Sequence, residues 1–147
     1  MLLCRAGAAR PIPLFYPFPH DSLMGGARMV SLLMRVGSGA PAPARWEELR
    51  ESGVRWWFPA CSGDTVTVES IYRQKIATEY ARYIVTTTQA WGRPLRRASF
   101  EIRLPPGAIP LEFSFPFEQH GTASETSYTY EARDFFPDRD IVVRWKH

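Results

Sequence analysis

Cysteine is scarce. Cys4 and Cys61 are the only two in 147 residues, and they lie far apart in no metal-type spacing. That excludes a disulfide-dense scaffold and a cysteine zinc site. A single bridge between them would form only if the chain leaves the cytosol, and free buried thiols are the plainer reading. Histidine is scarce too. Of His20, His120 and His147, only His20 has a neighbouring carboxylate, the adjacent Asp21. Such histidines read as surface residues in turns rather than as ligands. No nucleophile elbow, phosphate loop or dinucleotide fingerprint occurs. The sequence therefore nominates no catalytic residue and no cofactor, and a non-enzymatic protein is expected. The charge excess is slight, +3 from 18 basic and 15 acidic residues. A nucleic-acid domain carries a stronger, clustered excess. No apolar run approaches the roughly 20 residues of a membrane-spanning helix.

What is present points to strands. Aromatic residues make up 14% of the chain and prolines number 13, a pairing that suits short strands joined by turns. Hydrophobic residues at 45% and charged residues at 22% predict a folded core rather than disorder. Prolines 11, 13, 17 and 19 in PIPLFYPFP forbid a helix and favour an edge strand or a segment laid against the domain. Ala27 to Val36 reads as a strand whose apolar face carries Val30, Leu32, Met34 and Val36. Trp46 to Ser52 reads as one short helical turn. Val54 to Pro59 and Thr65 to Tyr72 read as strands, and another is expected from about Tyr80 through the β-prone YIVTTT.

The cleanest alternation lies at Arg97 to Leu104. Ala98, Phe100, Ile102 and Leu104 share one face and charged or polar residues the other, as in a half-buried antiparallel strand. Leu111, Phe113 and Phe115 repeat the pattern. His120 to Ser127 reads as a polar loop. Tyr128, Tyr130 and Ala132 follow, and Ile141, Val143 and Trp145 form a last inward row. These elements predict an all-β antiparallel sandwich, immunoglobulin-like in general architecture, with at most one short helix. Residues 1–10 are expected to be poorly ordered and 11–147 to form one domain.

Tyr83 to Thr87, then Trp91-Gly92-Arg93-Pro94-Leu95, then the strand to Leu104 and the closing Phe136-Pro137-Asp138-Arg139-Asp140, resemble a hairpin of bacterial extracytoplasmic proteins of unknown function. The resemblance covers roughly residues 72–145. It implies an exported β domain of a longer protein, and no catalytic residue. Residues 1–10 lack the basic start and hydrophobic centre of a secretory signal. The chain is accordingly expected to be a piece of such a longer protein.

Two binding features stand out. Trp56 and Trp57 are adjacent, so a strand would point them to opposite faces, one to the core and one outward. The outward ring could anchor another protein or a neighbouring domain, or stack on a sugar with nearby tyrosines. Trp91 with Arg93, Arg96 and Arg97 forms a small basic cluster that reads as a solvated strand edge. Asp134, Asp138 and Asp140 could offer oxygens to a hard cation, but the spacing lacks the EF-hand pattern and suits a turn better. The leading expectation is a structural or protein-interaction domain. The alternative is a carbohydrate-binding module.

Overall fold

The computed structural model describes residues 10–49, 53–60, 63, 65–122 and 125–147. The expectations for residues 1–9 and for pairing of Cys4 with Cys61 lie outside the described residues. The fold is all-β, built from four three-stranded sheets. Contacts gather in two compact units. One comprises Gly25–Lys75 with the chain up to His20, and the other comprises Asp21–Met24 and Ile76–His147. The sequence reading placed a single core over 11–147. Each unit holds one cluster of buried residues, and further buried side chains, among them Tyr128, Val143 and Trp145, belong to neither.

In the first unit, β1 (Arg10–Pro17), β5 (Gly53–Ala60) and β4 (Trp46–Glu48) make one sheet in the order β1-β5-β4. The second sheet runs β3 (Ala42–Pro43), β2 (Met24–Val36) and β6 (Val66–Ile76). Phe18, Met29, Leu32, Val54 and Trp56 are buried together, with Leu14, Tyr16, Ala44, Trp46, Val68 and Tyr72 packed against them. Both sheets thus contribute to one core, the arrangement of a sandwich.

The proline-rich segment is indeed an edge strand, paired antiparallel to β5 over its whole length. Gly53 sits opposite Pro17 at φ 147°, where a Cβ would come 2.9 Å from the Pro17 Cα. Only glycine permits that approach.

Two readings need correction here. Trp46 to Glu48 is a strand, not a helical turn, because it pairs with β5 at Trp46↔Trp56 and Glu47↔Arg55. Residues 50–52 lie outside the described set. In β2, Met29 and Leu32 are both buried although three apart, so the strand switches face between them. Val30, placed on the apolar face by simple alternation, is exposed.

In the second unit, β8 (Leu95–Arg103), β10 (Glu118–Thr122) and β11 (Glu125–Phe135) form a sheet in the order β10-β11-β8. The other sheet runs β7 (Tyr80–Tyr83), β12 (Ile141–Lys146) and β9 (Ile109–Phe113). Ala98, Phe135 and Ile141 are buried with Val85, and Phe100, Ile102, Phe115 and Tyr130 pack on them. The face read from Arg97 to Leu104 therefore does point inward. Ile141, Val143 and Trp145 are all buried, as their alternation implied.

Three further readings are corrected in this unit. Leu111 is exposed, because the β9–β12 register shifts between Arg144 and Trp145. Phe113 pairs with Val143 and Pro110 with Trp145, so Leu111 is the extra residue of a β-bulge. The polar stretch from His120 belongs to a hairpin, with Glu118–Thr122 paired to Glu125–Thr129. The strand expected through YIVTTT stops at Tyr83, and Thr86–Trp91 forms a 3-10 turn.

Asp140 explains that stop. One carboxylate oxygen accepts from Val85 N at 3.2 Å, Thr86 N at 3.3 Å and Thr86 Oγ1 at 2.8 Å. Gln89 Nε2 donates to the Pro137 carbonyl at 2.6 Å, and Thr88 Oγ1 to Val85 O at 2.9 Å. The turn is pinned by a residue far away in sequence. Removing the oxygen strands two backbone donors in a part-buried site. Asp140→Ala is expected to cost about 2–3 kcal/mol and Asp140→Asn, which keeps an acceptor, clearly less. Denaturant midpoints of the two variants check this, and equal losses would show that the acceptor is not what matters.

Candidate functional site: the outer face of the β1-β5-β4 sheet

The period of β5 separates its two tryptophans. Trp56 is 4% exposed and lies 6.5 Å from the Tyr16 ring inside the first core. Trp57 is 44% exposed on the opposite face. The neighbouring strands repeat the division. Leu14 and Tyr16 of β1 pack inward, as does Trp46 at the start of β4. Pro13, Phe15, Arg45, Glu47 and Arg55 are exposed.

The register turns these residues into two rows. Phe15 pairs with Arg55, and Arg55 with Glu47, so Phe15, Arg55 and Glu47 lie side by side across the sheet. Pro13 pairs with Trp57. Arg45 is exposed one residue before β4, just after Ala44, whose N–H donates to the Leu32 carbonyl of β2 at 2.9 Å. Phe15, itself 48% exposed, is the diagonal neighbour of Trp57 by register, and its ring reaches over Gly53 on the other side of Arg55, where a Cβ would meet its Cε2 at 2.9 Å. The result is an exposed face on which Phe15, Pro13 and Trp57 lie among Arg55 and Glu47.

Of the predicted binding residues, Trp57 alone belongs to this patch. Trp56 is core. Trp91 is 57% exposed at the end of the 3-10 turn, and Arg93 is exposed just beyond it, both in the second unit. Phe15 could have been found in the sequence, since it alternates with Leu14 and Tyr16 on a proline-fixed strand. The row of Glu47 and Arg55 could not, because reading a helical turn at Trp46 hid the strand that aligns them.

Other polar features are engaged elsewhere. A shallow depression on the β10-β11-β8 sheet is lined by Ser99, Glu101, Glu118, His120, Thr129 and Glu131. Arg97 meets Glu131 at 3.1 Å and Arg103 meets Glu101 at 2.9 Å, which makes this face a ladder of solvated ion pairs. His20 follows the buried Pro19 in an exposed position, and His147 is exposed after β12. The aspartate trio is dispersed. Asp140 caps Val85 and Thr86, Asp138 pairs with Arg139 at 3.0 Å, and Asp134 adopts φ 49° within β11. Among the described residues, no group of three His, Cys, Asp or Glu side chains could hold a metal ion. No helix among them is long and apolar enough to cross a membrane. The chain matches no family model, no curated protein and no solved structure.

Proposed function

We propose that this protein is a non-enzymatic interaction module whose contact surface is the outer face of the β1-β5-β4 sheet. The observation that carries the reading is the exposure of Phe15 and Trp57 on one sheet face, Phe15 in register with Arg55 and Glu47 and Trp57 with Pro13. Large aromatics on a rigid sheet cost little entropy to bury, and tryptophan and arginine are enriched among residues that dominate binding energy. The resemblance of residues 72–145 to extracytoplasmic β domains motivates an exported setting for such a module.

The same patch supports a second reading, a carbohydrate platform. An exposed indole can stack on a sugar ring, and Arg55 and Glu47 beside it supply hydrogen-bonding groups. One experiment separates the two. A photo-reactive benzophenone side chain at position 13, beside Trp57 on the same face, in an extract of the cell that makes the protein, is expected to give discrete protein adducts. Phe15→Ala with Arg55→Ala should remove them, and the same probe at the exposed Thr67 of β6 should give none. Equal labelling from both positions, or none, overturns the interaction reading. Saturable quenching of tryptophan fluorescence by a soluble polysaccharide, lost in Trp57→Ala, would replace it with the carbohydrate one.

A further inference from the structure

We propose that the open edge of β8 pairs with the β8 of a second copy, antiparallel about a two-fold axis at Ser99, which joins two β10-β11-β8 sheets into one. This surface is separate from the β1-β5-β4 face, and the inference does not depend on that reading. β8 runs for nine residues, Leu95–Arg103, without proline or glycine. It pairs with β11 in a constant register on one side, and among the described residues no strand pairs with its other side. Alternate residues of such an edge leave an N–H and a C=O unpaired, a template for another strand.

Charge says which strand. Arg97 stands opposite Arg133 in the register, and Glu101 shares a row with Thr129 and Glu118. The four charged residues are exposed. Glu131 lies 3.1 Å from Arg97, and Arg103 lies 2.9 Å from Glu101. One end of the edge thus sets two arginines against one glutamate, the other two glutamates against one arginine, with Ser99 midway. A second copy centred on Ser99 places its Glu101 beside Arg97 and its Arg97 beside Glu101. Symmetry makes the pair twice, as an isologous interface requires. On the inner face Ala98 meets the second copy's Phe100, small against large. Moving the axis by one residue loses this. Centred on Phe100, Arg97 faces Arg103 twice. Centred on Ala98, Arg97 faces only Ser99. One register therefore pairs opposite charges at both ends.

Paired over its whole length, the new ladder makes roughly eight backbone hydrogen bonds. A strand edge buries far less than the ~800 Å² per partner of a standard interface, so a concentration-dependent dimer is the expected form.

Sedimentation velocity on the purified chain, from micromolar to millimolar concentration, tests this. A monomer–dimer equilibrium is expected. Arg97→Glu sets glutamate beside glutamate twice, and Glu101→Arg sets arginine beside arginine twice, so each should weaken the dimer about tenfold or more. Mixed one to one, the two variants should associate about as well as the wild type, because each junction then holds one glutamate and one arginine. Glu69→Arg makes the same change of charge as Glu101→Arg but on β6, and should leave association unchanged. Thermal melts confirm that each variant is folded. Amide hydrogen exchange supplies the location, with β8 gaining protection as concentration rises. A chain that stays monomeric throughout, as it would if the edge awaits a different protein, overturns the proposal. So does a dimer indifferent to Arg97→Glu, a mixture that associates no better than its components, or protection that rises on β10 rather than on β8.

Discussion

Trp56→Ala is expected to destabilise the protein by about 3–5 kcal/mol, and Trp57→Ala by about 0.5 kcal/mol, although the two residues are adjacent. The Trp56 ring is among the largest side chains in the first core, where it contacts Tyr16 and lies with Phe18, Met29, Leu32 and Val54. Its removal forfeits the transfer energy of a large ring and leaves a cavity that two hydrogen-bonded sheets cannot collapse to fill. Trp57 already meets water, so truncation loses little that folding had gained. Guanidinium titrations of both variants measure the contrast. Similar midpoints would mean that β5 presents its two faces differently from the register described, and the contact surface would have to be redrawn. The pair also serves binding work, because a folded Trp57→Ala variant isolates association from stability.

Phe135→Ala carries a comparable expectation in the second unit, about 3–5 kcal/mol. Phe135 is 5% exposed and lies 5.5 Å from Phe100, 5.7 Å from Phe115 and 6.2 Å from Tyr130. These rings come from β8, from β11 and from the segment after β9, so one side chain ties several elements together. Aromatic pairs add about 0.5–1.5 kcal/mol beyond the area they bury. Phe135→Leu keeps much of the volume and loses the ring geometry, and should fall between wild type and alanine. Thermal melts followed by near-ultraviolet circular dichroism report the loss, since the signal arises from ordered aromatic rings. If Phe135→Ala melts with wild type, the cluster is not the core of its unit. Phe136, half exposed beside it, provides the control, with Phe136→Ala expected to change little.

What the sequence made legible depended on where the controlling contacts lie. Ala98 to Leu104 and Ile141 to Trp145 declare their inward faces because each is a regular strand with one face buried, and the alternation is local. The edge placement of PIPLFYPFP was legible because proline's constraints are intrinsic. Trp46 to Glu48 was not, since the residues WEE have no strong strand preference and become a strand only by pairing with Val54 to Trp56. The turn at Thr86 was hidden for a similar reason. A β-prone run of threonines yields to an acceptor 54 residues further on. Leu111 looked like part of an inward row because alternation assumes an unbroken register, and a single bulged residue reverses the phase. The Glu118 to Thr122 strand escaped because it is exposed throughout, and so carries no hydrophobic pattern to read. The candidate site was half visible. Its tryptophan and the proline strand could be named, but the row that joins Phe15 to Arg55 and Glu47 exists only in the pairing of three strands.

The prolines of β1 also bear on how far any assembly can grow. Pro11, Pro13 and Pro17 occupy alternate positions of the strand, so along one side of it only Phe15 keeps an amide hydrogen among four residues. The unbroken pairing with β5 uses the other side, which holds Ile12, Leu14 and Tyr16. A new strand arriving at the outer edge would find one donor where an ordinary edge offers four, too few to template a ladder. The opposite edge, β4, is three residues long and carries two glutamates. Lateral polymerisation is thus blocked at both margins of the same sheet whose flat face is open. Concentrated solutions of the chain should saturate at a finite particle size, and they should seed no fibres that bind an amyloid dye.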